Sequence, residues 1–582
     1  MSTLINEREV FLRAEGRVIL CACPGSGKTC IVAQRLLSYT NTWHYSHKGV
    51  AVLSFTNVAS EEINRQTNEA SLAAKPIDYP HFVGTIDSFI NNFILLRFGY
   101  LMQNDNRKRP IIVHDNYGEL TFFSRDAECY KRGCTNDPYA FHWAPNGLLR
   151  NNKDLNCGVS NKPCVIFKKA LLRKGIVTQR EVAYLSLLLL KRYPQIATEL
   201  AHRFPIIIVD EAQDTSREQM AILDKLSIAG VQTLVLVGDP DQAIYEWRDA
   251  TPEYFINKMK DGSWHTLYLS SNFRSSQKIC DATVHFSQTL SGRGPAKAEG
   301  ENATYYRKPI LLLKSTSTSR EDILQRFQQY CQECGIEYSN EKVAVLTRSR
   351  IHTGTDINGL WKSAEVKSLA ETTYAWYLGS RISAYYLCEK ALYNMVIGDV
   401  QSLSQEEIRE NIERVIAYSV WKMKVIAVLK CLPSPRCSLQ EWRDTTWSNI
   451  NSLINKKVIT LRSTRVLSDI IKIKSWDRAN PDFLNQPLAD FIEKKAIAGV
   501  TISSVHGVKG ETFDAVLLIV DSTRGANTLT PTVLNNSPLT DELIRIAYVA
   551  MTRPRKLLVV SIPKTSIALR RFPTESWEHV EI

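Results

Sequence analysis

The sequence predicts an α/β protein that has two parallel-sheet cores, each interrupted by a mainly helical insert. An apolar run at residues 18–20 leads through a glycine-rich loop into a helical pattern, which is the order strand, loop, helix. A second apolar run, at 206–209, ends at two acidic residues and is typical of a buried parallel strand. Lys28 and Asp210 are 182 positions apart, too far for one compact sheet, so an insert separates them. The second core is expected from a series of motifs that continues to about residue 560 and is described below.

Length and composition restrict the class of protein. The chain has 582 residues, 44% of them hydrophobic and 23% charged, which suits about four domain-sized units and excludes disorder as the main state. No uninterrupted apolar run approaches the roughly 18 to 20 residues that a membrane-spanning helix needs, and the first residues lack the pattern of a secretory signal. We therefore expect a soluble, cytoplasmic protein without a membrane partner, whose thirteen cysteines are reduced.

The glycine-rich loop is CACPGSGKTC, at residues 21–30. Its glycines allow the backbone N–H groups and the following helix N-terminus to face a phosphate group. Lys28 would reach the β- and γ-phosphates of a nucleotide, and the Thr29 hydroxyl would bind Mg²⁺. The usual G-x-x-x-x-G-K-[ST] pattern has Ala22 in place of its first glycine, and the alternative is a turn with a chance GKT sequence. The residues predicted to bind nucleotide here are Ala22, Cys23, Pro24, Gly25, Ser26, Gly27, Lys28, Thr29 and Cys30.

Two carboxylates follow the second apolar run, in the sequence FPIIIVDEAQD at 204–214. A nucleotide hydrolase needs one carboxylate to hold its metal and an acid beside it to activate water. Asp210 is the candidate metal ligand, together with Thr29, and Glu211 is the candidate general base. The alternative is an acidic turn after a strand, which would rarely place two acids and a Gln-Asp pair there.

Further blocks occur in one order along the chain. They are AVLSFTNVASEEI (51–63), GTIDSF (84–89), DEAQD (210–214), VGDPDQAIYEWRDA (237–250), LSSNFRSS (269–276), VLTRSR (345–350), TISSVHGVKGETFDAV (501–516) and IAYVAMTRPRKLL (546–558). Together they resemble the UvrD/Rep family of superfamily 1 (SF1A) DNA helicases. The resemblance implies two RecA-like P-loop cores in the 1A/1B/2A/2B architecture, and ATP and Mg²⁺ as ligands.

The motif order predicts where the domains divide. The first core (1A) takes 1–90 and 201–285, and the second (2A) takes 286–350 and 491–582. The inserts are 91–200 (1B) and 351–490 (2B). Both inserts are predicted to be largely helical, because apolar residues recur at i, i+3 and i+4 in segments such as 181–199 and 405–429.

The resemblance also implies roles for residues of the later motifs. The catalytic set becomes Lys28, Asp210, Glu211, Gln242, Arg274 and Arg553. In this set Gln242 couples the γ-phosphate to the DNA site, and the two arginines supply charge to the transferring phosphate. Phe273 offers a flat face to the base, and Gly510 completes the nucleotide site. The residues expected at single-stranded DNA are Thr56, Asn57, Thr85, Ser88, Tyr245, Trp247 and His506, with Lys509 beside the last; Trp247 as core packing is the alternative.

Three positions depart from the family pattern and bear on nucleotide selectivity. The family's adenine-contacting Gln would fall near Glu9. A Gly common after Gln-Tyr-Trp-Arg is Asp249, and Thr512 stands where a ribose-contacting Glu is usual. These changes could loosen the choice of nucleotide without touching the catalytic set.

The net charge of +12 is unevenly distributed. Residues 91–200 contain 17 lysines and arginines against 9 acidic residues, whereas 351–490 contain 18 against 15. The first insert is therefore the most basic part of the chain. We expect it to contact the DNA backbone.

Four cysteines of the first insert raise a separate question. Cys129, Cys134, Cys157 and Cys164 have His142 between their two pairs, and such a set could form a structural zinc site. The wide spacing of the second pair favours ordinary thiols. Cys331 and Cys334 form a lone pair on an apparent helix, for which packing is the expected role.

Two functions remain as alternatives. The resemblance implies an ATP-dependent 3′–5′ translocase on single-stranded DNA and at single-strand/duplex junctions, a DNA helicase of repair or related pathways. The alternative is an ATP-gated, DNA-sensing regulatory subunit of a complex that contains a nuclease, as in helicase-like components of bacterial anti-phage systems such as Gabija. A fused nuclease is not expected, because few residues follow Arg553.

Overall fold

The computed structural model describes most of the chain in separate segments. These are residues 2–70, 77–102, 109–113, 142–143, 149–150, 163–245, 251–315, 318–348, 359–377, 381–398, 405–462, 466–476, 482–492, 500–520, 528–565 and 569–582. The chain divides into two compact units, one formed by 1–350 with 500–582 and the other by 351–499. No helix among the described segments is long and apolar enough to cross a membrane.

Where the structure describes the first unit, it contains two large sheets and three short strand pairs. Its strands are β1 Arg17–Ala22, β2 Val50–Ser54, β3 Phe82–Thr85, β4 Ile111–Val113, β5 His142–Trp143, β6 Leu149–Arg150, β7 Ile176–Thr178, β8 Ile206–Val209, β9 Thr233–Gly238, β10 His265–Leu269, β11 Ser271–Asn272, β12 Lys297–Ala298, β13 Ile310–Lys314, β14 Val343–Thr347, β15 Thr501–Ser504, β16 Phe513–Ile519, β17 Pro554–Pro563 and β18 Glu578–Glu581.

Six parallel strands form the first large sheet, in the order β10-β1-β9-β8-β2-β3. Its central strands are buried along their length, as the run Ile206–Val209 shows, because helices cover both faces of such a sheet. β1, β9 and β8 are neighbours, so the loop after Ala22, Asp239 after β9 and Asp210 after β8 meet at one edge. Ligands of open α/β sheets bind at this carboxyl edge.

The second large sheet is also parallel, in the order β15-β14-β16-β17-β13-β18. Its core includes apolar residues of β14, β16 and β17 and of the helix Glu542–Met551. That helix ends just before Arg553, which precedes β17. The predicted class, two parallel-sheet α/β cores, is confirmed.

Helices supply the remaining packing of the first unit. They are Ser2–Arg13, Lys28–Thr40, Asn57–Ala70, Ile86–Ile90, Leu96–Phe98, Pro163–Arg173, Gln179–Arg192, Pro194–Arg203, Arg217–Ile228, Pro252–Lys260, Gln277–Thr283, Leu290–Arg293, Arg320–Glu333, Pro531–Asn536 and Glu542–Met551, with a π-helical turn at Asn91–Leu95.

The second unit is helical where the structure describes it. Its helices are Ala364–Tyr377, Arg381–Val396, Gln405–Glu413, Tyr418–Cys431, Leu439–Asn455, Leu467–Ile470 and Leu488–Ile492. They enclose their own apolar core, in which Trp421 and Trp442 are fully buried.

Both segments that the sequence predicts as helical are interrupted once. The helix Gln179–Arg192 begins with a capping box between Thr178 and Glu181 and ends before Pro194, which starts the next helix. Proline lacks the N–H that would continue the first helix. The second segment divides into Gln405–Glu413 and Tyr418–Cys431. The domain boundaries proposed from the motif order stay a prediction.

Candidate functional site

The glycine-rich loop joins β1 to the helix Lys28–Thr40. Gly25 and Gly27 have φ angles of 73° and 76°, in the left-handed region that favours glycine. A side chain at Gly25 would also collide with the Asn272 side chain. The Ser26 hydroxyl is buried and lacks a hydrogen-bond partner among the described residues. A phosphate oxygen would satisfy this hydroxyl, so the loop fits the anion that its sequence predicts.

The two carboxylates lie beside this loop. The Thr29 hydroxyl donates a hydrogen bond to Asp210 Oδ2 over 3.3 Å. The Glu211 N–H donates to the other Asp210 oxygen over 3.0 Å. Glu211 has a φ of 55°, a strained backbone state for a non-glycine residue that is typical of functional sites.

Burial and mutual repulsion separate the proton affinities of this pair. Burial and the neighbouring charge of Glu211 raise the pKa of Asp210 to about 7. Burial alone would raise the pKa of Glu211 too, but Lys28 and Lys509 outweigh it and hold that pKa below its usual value. A buried carboxylate beside a hydroxyl supplies the hard oxygen ligands that Mg²⁺ prefers, so Asp210 and Thr29 fit the expected metal.

Two arginines, Arg274 and Arg553, lie near the predicted nucleotide site. Arg274 Nη1 donates to the Thr552 carbonyl over 3.0 Å, and Arg553 Nε donates to the Val549 carbonyl over 3.0 Å. Burial lowers the pKa of Arg553 to about 10. Burial, followed by the charges of Arg553 and Arg555, also lowers the pKa of Arg274. Clustered guanidinium groups repel one another, and a phosphate anion between them would relieve that repulsion.

A chain of hydrogen bonds connects Glu211 to Arg553 through two glutamines. Gln213 donates its amide N–H groups to Glu211 and Asp214 and accepts from the Asp239 N–H over 3.0 Å. Gln242 then donates to Asp239 Oδ2 over 2.6 Å and accepts from Arg553 Nη2 over 2.9 Å. Glu211 of the first core and Arg553 of the second are thereby part of one buried network.

Gly238 leaves the space for this network. An added Cβ there would collide with the Gln213 side-chain oxygen. Neither Gln213 nor Asp239 was among the predicted site residues. Both could have been predicted from the sequence, because each follows a buried strand that ends at the carboxyl edge of the first sheet, beside the predicted nucleotide site.

Three more contacts cross between the cores. The Lys509 ammonium forms an ion pair with Asp214, and both side chains are at least nine-tenths buried. His506 Nε2 lies 2.9 Å from the Ile244 carbonyl, and Arg545 Nε donates to the Ala243 carbonyl over 2.6 Å. The segment after Gln242 is therefore held by two side chains of the second core.

The charges of Lys509 and Asp214 shift each other's pKa in the direction that keeps both groups ionised. Burial raises the pKa of Asp214 to about 6, although Lys509 lowers it. Burial alone would lower the pKa of Lys509, but the neighbouring Asp214 and Glu211 raise it. The ammonium is thus a partner of the first core's carboxylates; the place beside the DNA that the family resemblance implies for Lys509 stays a prediction.

Two family models match this chain. The UvrD/REP helicase N-terminal domain matches residues 5–262, and the UvrD-like helicase C-terminal domain matches 393–565. The chain belongs to the UvrD/REP helicase family. The residues that build the nucleotide edge of the first sheet lie inside the first match, and Lys509 and Arg553 lie inside the second.

Individual relatives of the family are about a quarter identical to the chain over the residues that align. The ATP-dependent DNA helicase PcrA of Leuconostoc citreum is 25% identical over 369 residues, which cover 59% of this chain and 47% of the relative. The Gabija protein GajB of Bacillus cereus is 26% identical over 304 residues, 51% of each chain. PcrA of Bacillus subtilis is 24% identical over 321 residues, 52% of this chain and 42% of the relative. The chain thus spans about half the length of the curated relatives it matches.

Several residues that the UvrD/REP resemblance places at DNA also make hydrogen bonds that cap nearby helices. Thr85 caps the helix Ile86–Ile90 by accepting from the Ser88 N–H over 3.1 Å. The Thr56 hydroxyl accepts from the Ala59 N–H over 3.2 Å at the start of the helix Asn57–Ala70; the Asn57 side chain lies outside the described part of the structure. The backbone carrying these polar groups is therefore fixed beside β2 and β3, and their role at DNA stays a prediction.

Tyr245 continues the segment held between the cores. Its ring lies 5.1 Å from that of Phe55 and 6.0 Å from that of His506, measured between centroids, and the Lys509 ammonium is 4.6 Å from its centroid. Trp247 lies outside the described residues. Tyr245 thus directly follows the residues next to Gln242 that the second core contacts, and the chain continues from it to the residues beyond 245.

The positions that depart from the family pattern differ in their surroundings. Glu9 is about half exposed and pairs with Arg13 at 3.9 Å. Asp249 lies outside the described residues, and Thr512 is half-buried just after Gly510. Gly510 has a φ of 96°, which supports a backbone role at that position.

The zinc alternative falls mainly on residues that the structure does not describe. Cys129, Cys134 and Cys157, and the side chains of His142 and Cys164, lie outside the described part. Among the side chains that are described, no group of histidine, cysteine and acidic residues could hold a metal ion by itself. Cys331 and Cys334 are free thiols, the first of them buried.

Proposed function

We propose that the protein is a DNA-dependent ATPase that translocates 3′ to 5′ along single-stranded DNA and unwinds duplex DNA at single-strand/duplex junctions. The observation that carries this proposal is the buried chain of hydrogen bonds from Glu211 to Arg553, which ties the hydrolytic site to the contact between two cores. The names of the PcrA relatives support an ATP-dependent DNA helicase in general.

The residues around the predicted nucleotide site would have the following roles. Lys28 and the loop N–H groups bind the β- and γ-phosphates, while Thr29 and Asp210 hold Mg²⁺. Bound Mg²⁺ neutralises charge on the phosphate oxygens. Glu211, ionised at neutral pH, accepts a proton from the attacking water. Arg274 and Arg553 stabilise the charge that develops on the transferring phosphate.

Coupling to DNA would run through the segment that follows Gln242. Gln242 contacts Arg553 directly, and its neighbours Ala243 and Ile244 accept hydrogen bonds from Arg545 and face His506. Closure or opening of the cores would therefore move Tyr245, and Trp247 after it. We propose that these aromatic residues stack on unpaired bases, and that Thr56, Asn57, Thr85, Ser88 and His506 contact the strand.

Polarity is tested by unwinding of tailed duplexes. Purified protein with ATP and Mg²⁺ is expected to separate a duplex that has a 3′ single-stranded tail and to leave a 5′-tailed duplex of the same sequence intact. Strand separation is followed by fluorescence quenching, with the Lys28→Ala variant as the inactive control. Preferential unwinding of the 5′-tailed duplex would reverse the proposed direction, and ATP hydrolysis without any stimulation by nucleic acid would rule out a translocase.

The basic insert provides a second expected result. Lys169, Arg173, Lys191 and Arg192 are exposed on helices of residues 91–200. Replacing all four with Gln is expected to flatten the dependence of DNA affinity on salt, by a slope of about 0.7 to 0.9 for each DNA phosphate that the variant no longer neutralises. ATP hydrolysis without DNA should stay unchanged.

The matched control uses the nearly balanced insert. Lys422, Lys430, Lys456 and Lys457 are exposed there, and changing them to Gln removes the same charge. This variant should keep the salt slope of the parent protein. Equal slopes for the two quadruple variants would show that the first insert does not contact the DNA backbone.

A second candidate function is supported by the similarity to GajB. In that case the protein would be an ATP-gated DNA sensor that regulates a nuclease partner, with little unwinding of its own. Co-purification with the product of an adjacent nuclease gene, together with weak unwinding by the isolated chain, would favour this candidate. Strong unwinding by the isolated chain would favour the first.

A further inference from the structure

A buried arginine that lies outside all the sequence motifs faces the network that joins the two cores. Arg293 ends the short helix Leu290–Arg293, and its side chain is only 2% exposed. Its Nη1 atom lies 3.9 Å from Asp239 Oδ1, and the Asp239 side chain is fully buried. Asp239 is the residue to which Gln242 donates a hydrogen bond over 2.6 Å. Arg293 thus reaches Gln242 through one intermediate side chain.

The turn that precedes Arg293 holds a second acid of the same segment. Ser287 Oγ donates to Asp241 Oδ2 over 2.6 Å, and Thr289 Oγ1 donates to the same oxygen over 2.8 Å. The Gln288 N–H donates to Asp241 Oδ1 over 2.9 Å. Arg293 Nη2 donates to Ser287 Oγ over 3.4 Å. The turn and the arginine therefore fix the backbone from which Gln242 extends.

Arg293 supplies positive charge to this buried acidic segment. Burial raises the pKa of Asp239; among its neighbours Arg293 opposes this most strongly, whereas Asp241 adds to it. Burial alone would lower the pKa of Arg293, but Tyr548 and Asp239 raise it. Desolvation offsets much of the attraction within a buried ion pair, so stability alone is a weak reason for placing this pair in the interior.

Arg293 also faces the helix that leads to Arg553. Tyr548 lies on this helix, Glu542–Met551, and is 3% exposed. Burial raises the pKa of Tyr548, and the charge of Arg293 lowers it. Arg293 thus lies between the acid that bonds to Gln242 and the helix that ends two positions before Arg553.

We propose that Arg293 is a positioning residue for ATP hydrolysis, which holds Asp239 in place and thereby orients the Gln242 amide toward Arg553. The two ends of that amide have different roles, since its N–H donates to Asp239 and its oxygen accepts from Arg553. An ionised carboxylate can only accept, so Asp239 determines which way the amide faces. The inference rests on the proposed role of Arg553 at the phosphate and extends it to the group that keeps Gln242 in the correct orientation.

The test measures kcat and KM of ATP hydrolysis by the full chain, with and without single-stranded DNA. For Arg293→Gln we expect kcat to fall by roughly ten- to a hundredfold, the effect of a small misplacement in a catalytic site. KM for ATP should stay within about threefold of the parent, because the phosphate loop is unaltered. Arg293→Lys keeps a charge beside Asp239 and should restore kcat to within about fivefold of the parent.

The pH profile separates positioning from a loss of stability. Without the charge of Arg293, burial and Asp241 hold the pKa of Asp239 higher, so a higher pH is needed to ionise it. The ratio of Arg293→Gln to parent kcat is therefore expected to rise between about pH 6.5 and about pH 9. The other charged or titratable groups that face Asp239 are Lys28, Asp241, Arg553, Tyr548, Cys21 and Cys23. Both proteins contain these groups, so their own titration largely cancels in the ratio.

Arg307→Gln is the matched control. Arg307 is another largely buried arginine in ion pairs, with Glu333 at 3.7 Å and Glu578 at 3.6 Å, and its loss should leave kcat close to that of the parent. A kcat of Arg293→Gln equal to that of Arg307→Gln would overturn the proposal, and so would a variant-to-parent ratio that does not change with pH.

A double variant keeps the proposal testable if Arg293→Gln does not fold. Arg293→Gln combined with Asp239→Asn leaves no unpaired charge in the interior, so we expect a melting temperature close to that of the parent. Its kcat should still be low, because an asparagine in place of Asp239 can donate as well as accept and does not fix the Gln242 amide. A kcat equal to that of the parent in this variant would rule out the positioning role.

These outcomes are separate from those of the proposed function. A protein that hydrolyses ATP without stimulation by DNA, and whose Arg293→Gln variant is slow, would keep the positioning role and lose the translocase. A DNA-stimulated protein whose Arg293 variants are as active as Arg307→Gln would keep the proposed function and lose the positioning role.

Discussion

Replacing Glu211 with Gln is expected to reduce DNA-stimulated ATP hydrolysis by roughly 10²- to 10⁴-fold, the usual contribution of a general base. Gln has nearly the same shape, and its amide oxygen can still accept from Gln213, so the local fold should survive. The change removes the ionised carboxylate that Lys28 and Lys509 stabilise, and with it the acceptor for the proton of water. Steady-state hydrolysis with saturating single-stranded DNA measures the loss, and nucleotide binding should stay within a few-fold of the parent.

Glu253→Gln is the matched control for this variant. Glu253 is exposed in the first turn of the helix Pro252–Lys260, so the same chemical change there should leave hydrolysis unaltered. If the Glu211→Gln variant kept most of its DNA-stimulated hydrolysis, the general base would have to be another group.

Replacing Arg553 with Ala is expected to lower kcat by roughly 10³- to 10⁵-fold, the range known for an arginine that stabilises the transferring phosphate. The substitution also leaves the side-chain oxygen of Gln242 without its partner. Both the charge at the phosphate and the bond between the cores are removed together. DNA binding without nucleotide should persist, because Arg553 is buried away from solvent.

Because Arg553 is buried, the Ala variant could lose activity by misfolding, and a second variant at the same position controls for this. Arg553→Lys keeps a cation and most of the volume but not the planar fork that bonds to Gln242 and Val549, so we expect kcat to stay low with a melting temperature close to that of the parent. Arg570→Ala is the control, since Arg570 is an exposed arginine of the second core and should be dispensable for hydrolysis. Near-normal kcat in both Arg553 variants would remove this residue from the mechanism.

The parts of the site that could be predicted are local in sequence. Lys28 follows two glycines whose left-handed backbone shapes the loop, and Asp210 and Glu211 directly follow a buried strand. Short-range backbone geometry and the run of apolar residues specify both features. The break at Pro194 could also have been predicted, because proline cannot continue the preceding helix, but the apolar periodicity across it concealed the boundary.

Contacts between distant residues could not be read in the same way. Nothing in the order of residues indicates that the Gln213 side chain accepts a hydrogen bond from the Asp239 N–H. The same holds for the Arg8 guanidinium, which lies 5.0 Å from the ring centroid of Phe273, 265 positions along the chain. Lys509 illustrates the reason. A lysine in this motif could face a DNA phosphate or a carboxylate of the other core, and the amino-acid pattern is the same for both.

By itself, the sequence determined the phosphate loop and the pair of carboxylates, since each depends on a few neighbouring residues, and the order of its family motifs implied the two parallel-sheet cores. Only the tertiary structure decided which charges meet. Packing of the cores buries Asp214 and Lys509 against each other, where an unpaired charge would be strongly destabilising, and it joins Gln242 to Arg553 across more than 300 positions of chain. Burial and distance, which arise only when the cores pack, assign those partners.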